Sequence, residues 1–289
     1  MRSPGDLTQS LINYAPVPLR ATLPNCATEA FSILMYHRVC PNYKGLPRCP
    51  WGVTPRQLSE QLAGLLEMGY EAWPLNRVLE YRQKNKPVPS NAFVVTFDDG
   101  YANNLHWGLP VLKELNVPAT VFVVTSMLDR YEPYPSDEWQ MAGSSRVPAK
   151  TWVSLTSDQA KQLLDSGLVQ LGAHTHTHVN LAETPQVTEV EIFTSLVELS
   201  ERFDLQHIPF AFPYGGVPEN FDDAMIARLR NAGMTCALTT QEAPVGPGQS
   251  PFAWGRFTAH RTDTATTLAA KLDGHYTLLR DAWRKVRGQ

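Results

Sequence analysis

Ala92-Phe93-Val94-Val95-Thr96-Phe97-Asp98-Asp99-Gly100-Tyr101 is a β-branched and aromatic run that ends on two adjacent carboxylates. Residues of that kind favour a strand, and the run shows no helical period. The end of an apolar strand is a costly place for charge unless a cation or a proton is shared there. A single Asp before a helix is ordinarily an N-cap. Two in a row, followed at once by Gly, point to a site.

Outward from this stretch the chain alternates. Strands are expected at 31–36, 70–73, 92–97, 119–125, 169–173, 209–212 and 235–239. Helices are expected at 54–68, 75–85, 104–115, 156–166, 188–202, 221–231 and 264–286. The first helix has Thr54 as its cap, Pro55 at its first position, Leu58, Leu62, Leu65 and Leu66 on one face, and Gly69 to stop it. Thr156 or Ser154 caps the fourth. Strands separated by helices of about 10 to 15 residues imply parallel pairing through right-handed crossovers. Periodicity alone leaves an open doubly wound sheet and a barrel both available, and either one puts its active site at the carboxyl ends of the strands. The segment 128–152 is the longest stretch without a period, and such loops are usually functional or disordered.

The chain has 289 residues, 43% hydrophobic and 18% charged, which suits one globular domain. We expect an irregular arm over 1–30 and a single domain over 31–289. A net charge of -3, with no basic stripe, excludes a phosphate backbone as partner. Oligomeric state is not legible. The first thirty residues are broken by Pro4, Pro16, Pro18 and Pro24 and lack the apolar core of a signal peptide, and no stretch reaches the roughly 20 apolar residues of a membrane span. The expectation is a cytoplasmic chain, with export after removal of a signal left open. Cys26, Cys40, Cys49 and Cys236 read as thiols, with a Cys40–Cys49 bridge allowed if the protein is exported.

Leu171-Gly172-Ala173-His174-Thr175-His176-Thr177-His178 ends another strand with three alternating histidines, in a chain that has eight. Imidazole is a common ligand for zinc and related metals. If the chain bends after the strand, His174 and His178 can converge while His176 points elsewhere. A parallel α/β fold brings strand ends to one face, so Asp plus two His becomes a ligand set, with one carboxylate left over as a base. That division of labour describes metal-activated water attacking a carbonyl.

Thr96-Phe97-Asp98-Asp99-Gly100 and His174-Thr175-His176-Thr177-His178 resemble the first two motifs of the polysaccharide deacetylase family, also called the NodB homology or carbohydrate esterase 4 family. Phe210-Ala211-Phe212-Pro213-Tyr214-Gly215 resembles its third. The resemblance implies an α/β fold, a distorted (β/α)7 barrel in one domain, that removes N-acetyl groups from N-acetylated carbohydrate. It also implies one divalent ion, Zn2+ first and Co2+ or Ni2+ as alternatives, on Asp99, His174 and His178. Asp98 would be the general base, the Tyr214 N–H an oxyanion donor, and Thr175 a brace for the histidine loop.

Two departures stand out. The family's third motif usually carries an Arg near the position of Ala211, and Arg256 is the candidate replacement, although it reads equally as a surface residue. The family's late Leu-x-His motif is absent after residue 240. Ile33-Leu34-Met35-Tyr36-His37-Arg38-Val39 instead resembles the permuted arrangement of biofilm poly-N-acetylglucosamine deacetylases, which makes His37 the candidate general acid. His106, His207, His260 and His275 read as structural or solvated. Two rival readings remain: a small-molecule amide or imide hydrolase on the same fold, and a catalytically dead carbohydrate-binding homologue. A spare base at Asp98 argues against the second.

Overall fold

Runs of β-branched and aromatic residues with no polar face belong inside a sheet covered on both sides. The computed structural model describes residues 30–45, 48–49, 51–134, 147–216 and 221–275. Its strands are β1 (Ser32–Tyr36), β2 (Arg38–Val39), β3 (Gly52–Val53), β4 (Glu71–Ala72), β5 (Ala92–Phe97), β6 (Ala119–Val123), β7 (Val169–Ala173), β8 (Phe210–Ala211), β9 (Ala237–Leu238) and β10 (Phe257–Thr258). Its α-helices are α1 (Pro55–Glu67), α2 (Leu75–Gln83), α3 (Leu109–Leu115), α4 (Ser157–Asp165), α5 (Thr188–Phe203), α6 (Asp223–Ala232) and α7 (Ala265–Leu272).

The main sheet is parallel throughout, in the order β10-β1-β5-β6-β7-β8-β9, with β4 also paired to β5. A parallel bridge between Leu238 and Trp254 ties β9 to the segment that runs into β10, so the two ends of the sheet curl toward each other. This is the distorted (β/α) barrel in a single α/β domain. Tyr36 lies opposite Phe97, and Val123 opposite Ala173, so these strands end at one level. His37, Asp98 and His174 therefore leave the sheet along a common rim.

Strand parity sorts the core. Leu34, Phe93, Val95, Phe97 and Val121 pack outward against Leu58, Leu62 and Leu65 of α1 and Leu268 of α7. Ile33, Val94, Phe122, Ala211, Leu238 and Trp254 pack on the opposite side, inside the curl. α1 starts on a capping box, in which the Gln57 N–H donates to Thr54 Oγ1 at 3.1 Å and the Thr54 N–H donates to Gln57 Oε1 at 2.9 Å. Thr156 caps α4 in the same way, so the Ser154 alternative drops out.

Several expectations need correction. Residues 104–115 are not one α-helix: Asn104–Gly108 is π-helical before α3 begins. Pro110 has no N–H and its ring crowds the carbonyl at 106, so the preceding turn widens until the Leu109 N–H reaches the Asn104 carbonyl. The strands expected at 209–212 and 235–239 shrink to two paired residues each. The pairs β2–β3 and β10 were not expected at all, because two-residue strands beside Cys, Pro and Gly carry no readable period. The helix expected over 264–286 is interrupted after Leu272 by Asp273 and a left-handed Gly274 (φ 78°), and His275, the last described residue, is helical again. Cys40 and Cys49 are buried in one small cluster with Val147 and form no disulfide. The arm over 1–29, Cys26, the centre of 128–152 and residues 276–289 lie outside the described residues. Among the described residues, no helix is long and apolar enough to cross a membrane.

Candidate active site

Thr96 and Asp98 share the parity of Val94, so β5 ends by turning polar groups into the curl. Asp98 is 2% exposed, and the fully buried Arg256 holds it in a two-pronged pair, Nη1 to Oδ1 at 2.6 Å and Nη2 to Oδ2 at 2.8 Å. The guanidinium is fixed in turn, since Nε donates to the Thr239 carbonyl at 3.0 Å and Nη1 also to Thr96 Oγ1 at 3.2 Å. Burial alone pushes the Asp98 carboxyl up, but Arg256 and then His174 outweigh it and hold it below the ordinary carboxylate value. Asp98 is thus an ionised, oriented carboxylate. Arg256 is not a surface residue; it lies just before β10, which only β1 separates from β5, and from there it reaches Asp98.

One residue on, Asp99 turns away with a left-handed backbone (φ 72°). Its Oδ1 lies 3.3 Å from His178 Nε2 and 3.6 Å from His174 Nε2, and one donor atom from each of the three residues lies within 4.8 Å of the others. The donor set fits a divalent cation for a specific reason. His174 Nδ1–H donates to the Ala211 carbonyl at 2.8 Å, which leaves Nε2 as a lone pair aimed at a carboxylate oxygen. Burial lowers His174 to about 4, so that imidazole is neutral at physiological pH. A lone pair facing a carboxylate calls for positive charge between them. Burial lowers His178 too, but Asp99 outweighs it and raises this imidazole above the usual histidine value. Asp99 itself is held below its usual range, because His178, His37 and His174 outweigh its burial.

The histidine loop is fastened by main-chain contacts. The His178 N–H donates to Thr175 Oγ1 at 2.9 Å, and both residues are left-handed (φ 62° and 61°). Non-glycine residues in that region cost about 1–3 kcal/mol each and persist only where their surroundings hold them. Glu191 of α5 does so, accepting from the His176 N–H at 2.9 Å, the Thr177 N–H at 2.8 Å and the Thr177 hydroxyl at 2.7 Å. His176 points away, its Nδ1 2.9 Å from Thr125 Oγ1. Glu191 was not foreseen, although a carboxylate on the buried face of α5, beside Ile192 and Ser195, is the signal that marks it.

Asp98, Asp99, His174 and His178 line one cavity of about 540 Å³ together with His37 and Tyr214. His37 follows β1, its carbonyl accepts from Asn104 Nδ2 at 2.9 Å, and its ring lies 5.7 Å from the indole of Trp51. Tyr214 is left-handed (φ 64°), its ring sits 5.3 Å from His178, and among the described residues its N–H makes no hydrogen bond. Gly215 after it has to be glycine, since a Cβ there would come within 2.7 Å of the Thr240 nitrogen. Trp51, 68% exposed, and Tyr214, 54% exposed, stand at the rim, and Glu242 lines the wall. Trp51 and Glu242 had no sequence signal.

The model of the polysaccharide deacetylase family matches residues 85–237. The poly-β-1,6-N-acetyl-D-glucosamine N-deacetylase of Escherichia coli is 33% identical over 118 residues, 41% of this chain but only 17% of that longer protein. The Staphylococcus epidermidis protein of the same name is 23% identical over 233 residues, covering 78% of this chain and 73% of its own. IcaB from Ammonifex degensii superimposes with a TM-score of 0.68 at 21% identity, over 84% of this chain and 97% of that one. The Streptococcus pyogenes deacetylase PplD, solved in complex with acetate, gives 0.68 at 20% identity over 84% and 98%. At such identities the solved structures speak to the fold. The family model spans more than half of the chain, from the run into β5 through the histidine loop to β9, and the chain belongs to the polysaccharide deacetylase family of hydrolases.

Proposed function

We propose that this chain hydrolyses N-acetyl groups on an amino-sugar polymer of the poly-N-acetylglucosamine kind, with Asp99, His174 and His178 holding one divalent ion, Zn2+ first and Co2+ or Ni2+ as alternatives. The observation that carries the reading is an ionised Asp98, clamped by Arg256, next to a converged carboxylate and two imidazoles in one cavity. A sugar-binding module has no use for that spare, oriented base.

A divalent ion bound there supplies Lewis acidity toward the acetyl carbonyl and acidifies water, to a pKa of about 7 in the best cases. The chain's own groups do the rest. Asp98 takes the proton from the attacking water, and Arg256 keeps that carboxylate ionised and aimed. The Tyr214 N–H donates to the oxyanion, a contact often worth about 3 kcal/mol of barrier. His37 gives a proton to the leaving nitrogen as the C–N bond breaks, so acetate and a free amine depart. Thr175 acts one step back, by holding His178.

The exposed aromatic faces of Trp51 and Tyr214 at the rim favour an extended sugar chain over a small cyclic amide, since flat apolar faces suit sugar rings and the cavity is not sealed. The names of the Escherichia coli and Staphylococcus epidermidis relatives support the same class. The decisive assay is acetate release from acetylated glucosamine oligomers, with chitin and peptidoglycan beside them, in chelator and after metal add-back. Release from the oligomers that is lost with chelator and restored by Zn2+ is the expected result. Turnover of cyclic amides with none of the oligomers would sink the polymer reading.

A further inference from the structure

Two of the three residues that converge on the cation site, Asp99 and His178, have left-handed backbones (φ 72° and 62°). Glu191 and Thr175 hold the second of them. The first needs its own restraint, and the structure supplies it from Tyr134, in the described first part of the segment 128–152. The hydroxyl of Tyr134 donates to the main-chain carbonyl of Asp99. The same ring packs edge-on against the His178 imidazole, with centroids 5.9 Å apart and planes at 73°. On another side it meets Tyr101 at 5.2 Å. Tyr101 is anchored by the buried Arg38, whose Nη2 donates to its hydroxyl at 2.6 Å while the guanidinium lies 4.1 Å over its ring. Tyr134 is 3% exposed, so this is a packed contact and not a surface encounter.

We propose that Tyr134 is a positioning residue for the cation site, holding the Asp99 peptide in its left-handed form and the His178 ring in its rotamer. One side chain thereby sets the distance between a carboxylate ligand and an imidazole ligand that stand 79 positions apart in sequence. The proposal rests on the metal reading above. Without the hydroxyl, the Asp99 carbonyl loses its donor and the peptide is free to relax toward the right-handed region, which turns the carboxylate away from His178. Groups that orient metal ligands typically change affinity about 10- to 100-fold when removed.

The test uses the full chain stripped of metal and titrated with Co2+, followed by visible absorption, which reports both affinity and ligand geometry. Titrations run well below the melting temperature of each metal-free protein, so affinity is read on folded chains. Tyr134→Phe keeps the ring and removes the donor. It should melt like wild type without metal, bind Co2+ about 10- to 100-fold more weakly, and show altered band intensities. Tyr131→Phe, on the same segment but exposed and packed against Trp152, should bind like wild type. Wild-type affinity and spectrum in Tyr134→Phe, whether or not its metal-free melting temperature falls, assign Tyr134 to packing alone and overturn the proposal. An equal loss in Tyr131→Phe overturns it as well. A wild-type chain that takes up no Co2+ removes the metal reading and this proposal together, a result distinct from either of the others.

Discussion

Asp98 and Arg256 stand 158 positions apart and bury a charge each. Buried pairs of this kind add little over an apolar pair, yet removing one partner strands the other and typically costs about 3–5 kcal/mol. Arg256→Leu should therefore lower stability by about that amount in urea melts and also cost turnover. Asp98→Asn keeps the shape and one acceptor for Arg256 but strands its buried charge, so it should cost stability on a similar scale. Under the proposed mechanism it keeps its metal and loses nearly all turnover, since an amide cannot take the water's proton. Near-wild-type rates in that variant would place the base elsewhere. His37→Ala tests the acid. Amide hydrolysis should fall about 100- to 10,000-fold, while an activated ester, whose leaving group needs no proton, should be spared much of the loss. Equal losses on amide and ester would reduce His37 to a strand-end residue. Asp98, Asp99, His174 and His178 were legible because charge at the end of an apolar strand is a local anomaly. Arg256 could be named as a candidate, but nothing nearby in sequence shows which carboxylate it meets.

Between elements, the contact that matters most is α5 against the histidine loop. Glu191 satisfies two main-chain N–H groups and a hydroxyl at once. A buried donor left without a partner costs about 1–3 kcal/mol, so Glu191→Ala should lose at least about 2 kcal/mol in denaturant. It should also bind metal more weakly, because His178 is released from its left-handed turn. Thr54→Ala is the matched control. It removes the α1 cap for about 1 kcal/mol and leaves metal affinity unchanged, being remote from the loop. If the two variants lose metal affinity alike, the Glu191 contact is only structural. Element boundaries were legible where caps and stops are local, as at Thr54, Gly69 and Thr156. They were not legible where tertiary pairing decides the length, as in β8, β9 and β10.

At the scale of the whole molecule, the parallel sheet makes a site out of distant segments by ending β1, β5 and β7 at one level and curling β10 back beside β1. Under the proposed function the ligands come from two strand ends, so metal binding would be coupled to the global fold. At free ion about 100-fold above its dissociation constant, the folded chain should gain about 2.7 kcal/mol, read as a higher melting temperature that chelator reverses. Asp99→Ala should show no such shift, and a metal-induced shift that survives in that variant would locate the ion elsewhere. The alternation of strand and helix, the parallel α/β class and the four residues at the ends of β5 and β7 were determined by the sequence by itself, because periodicity, caps and misplaced charge act over a few neighbouring residues. Barrel closure through β10, the pairing of Arg256 with Asp98, the Glu191 clamp, the Tyr134 contact and the rim at Trp51 were decided only by the tertiary structure. They join residues that no local pattern links, and only packing of the curled sheet against its helices and loops brings them within hydrogen-bond reach.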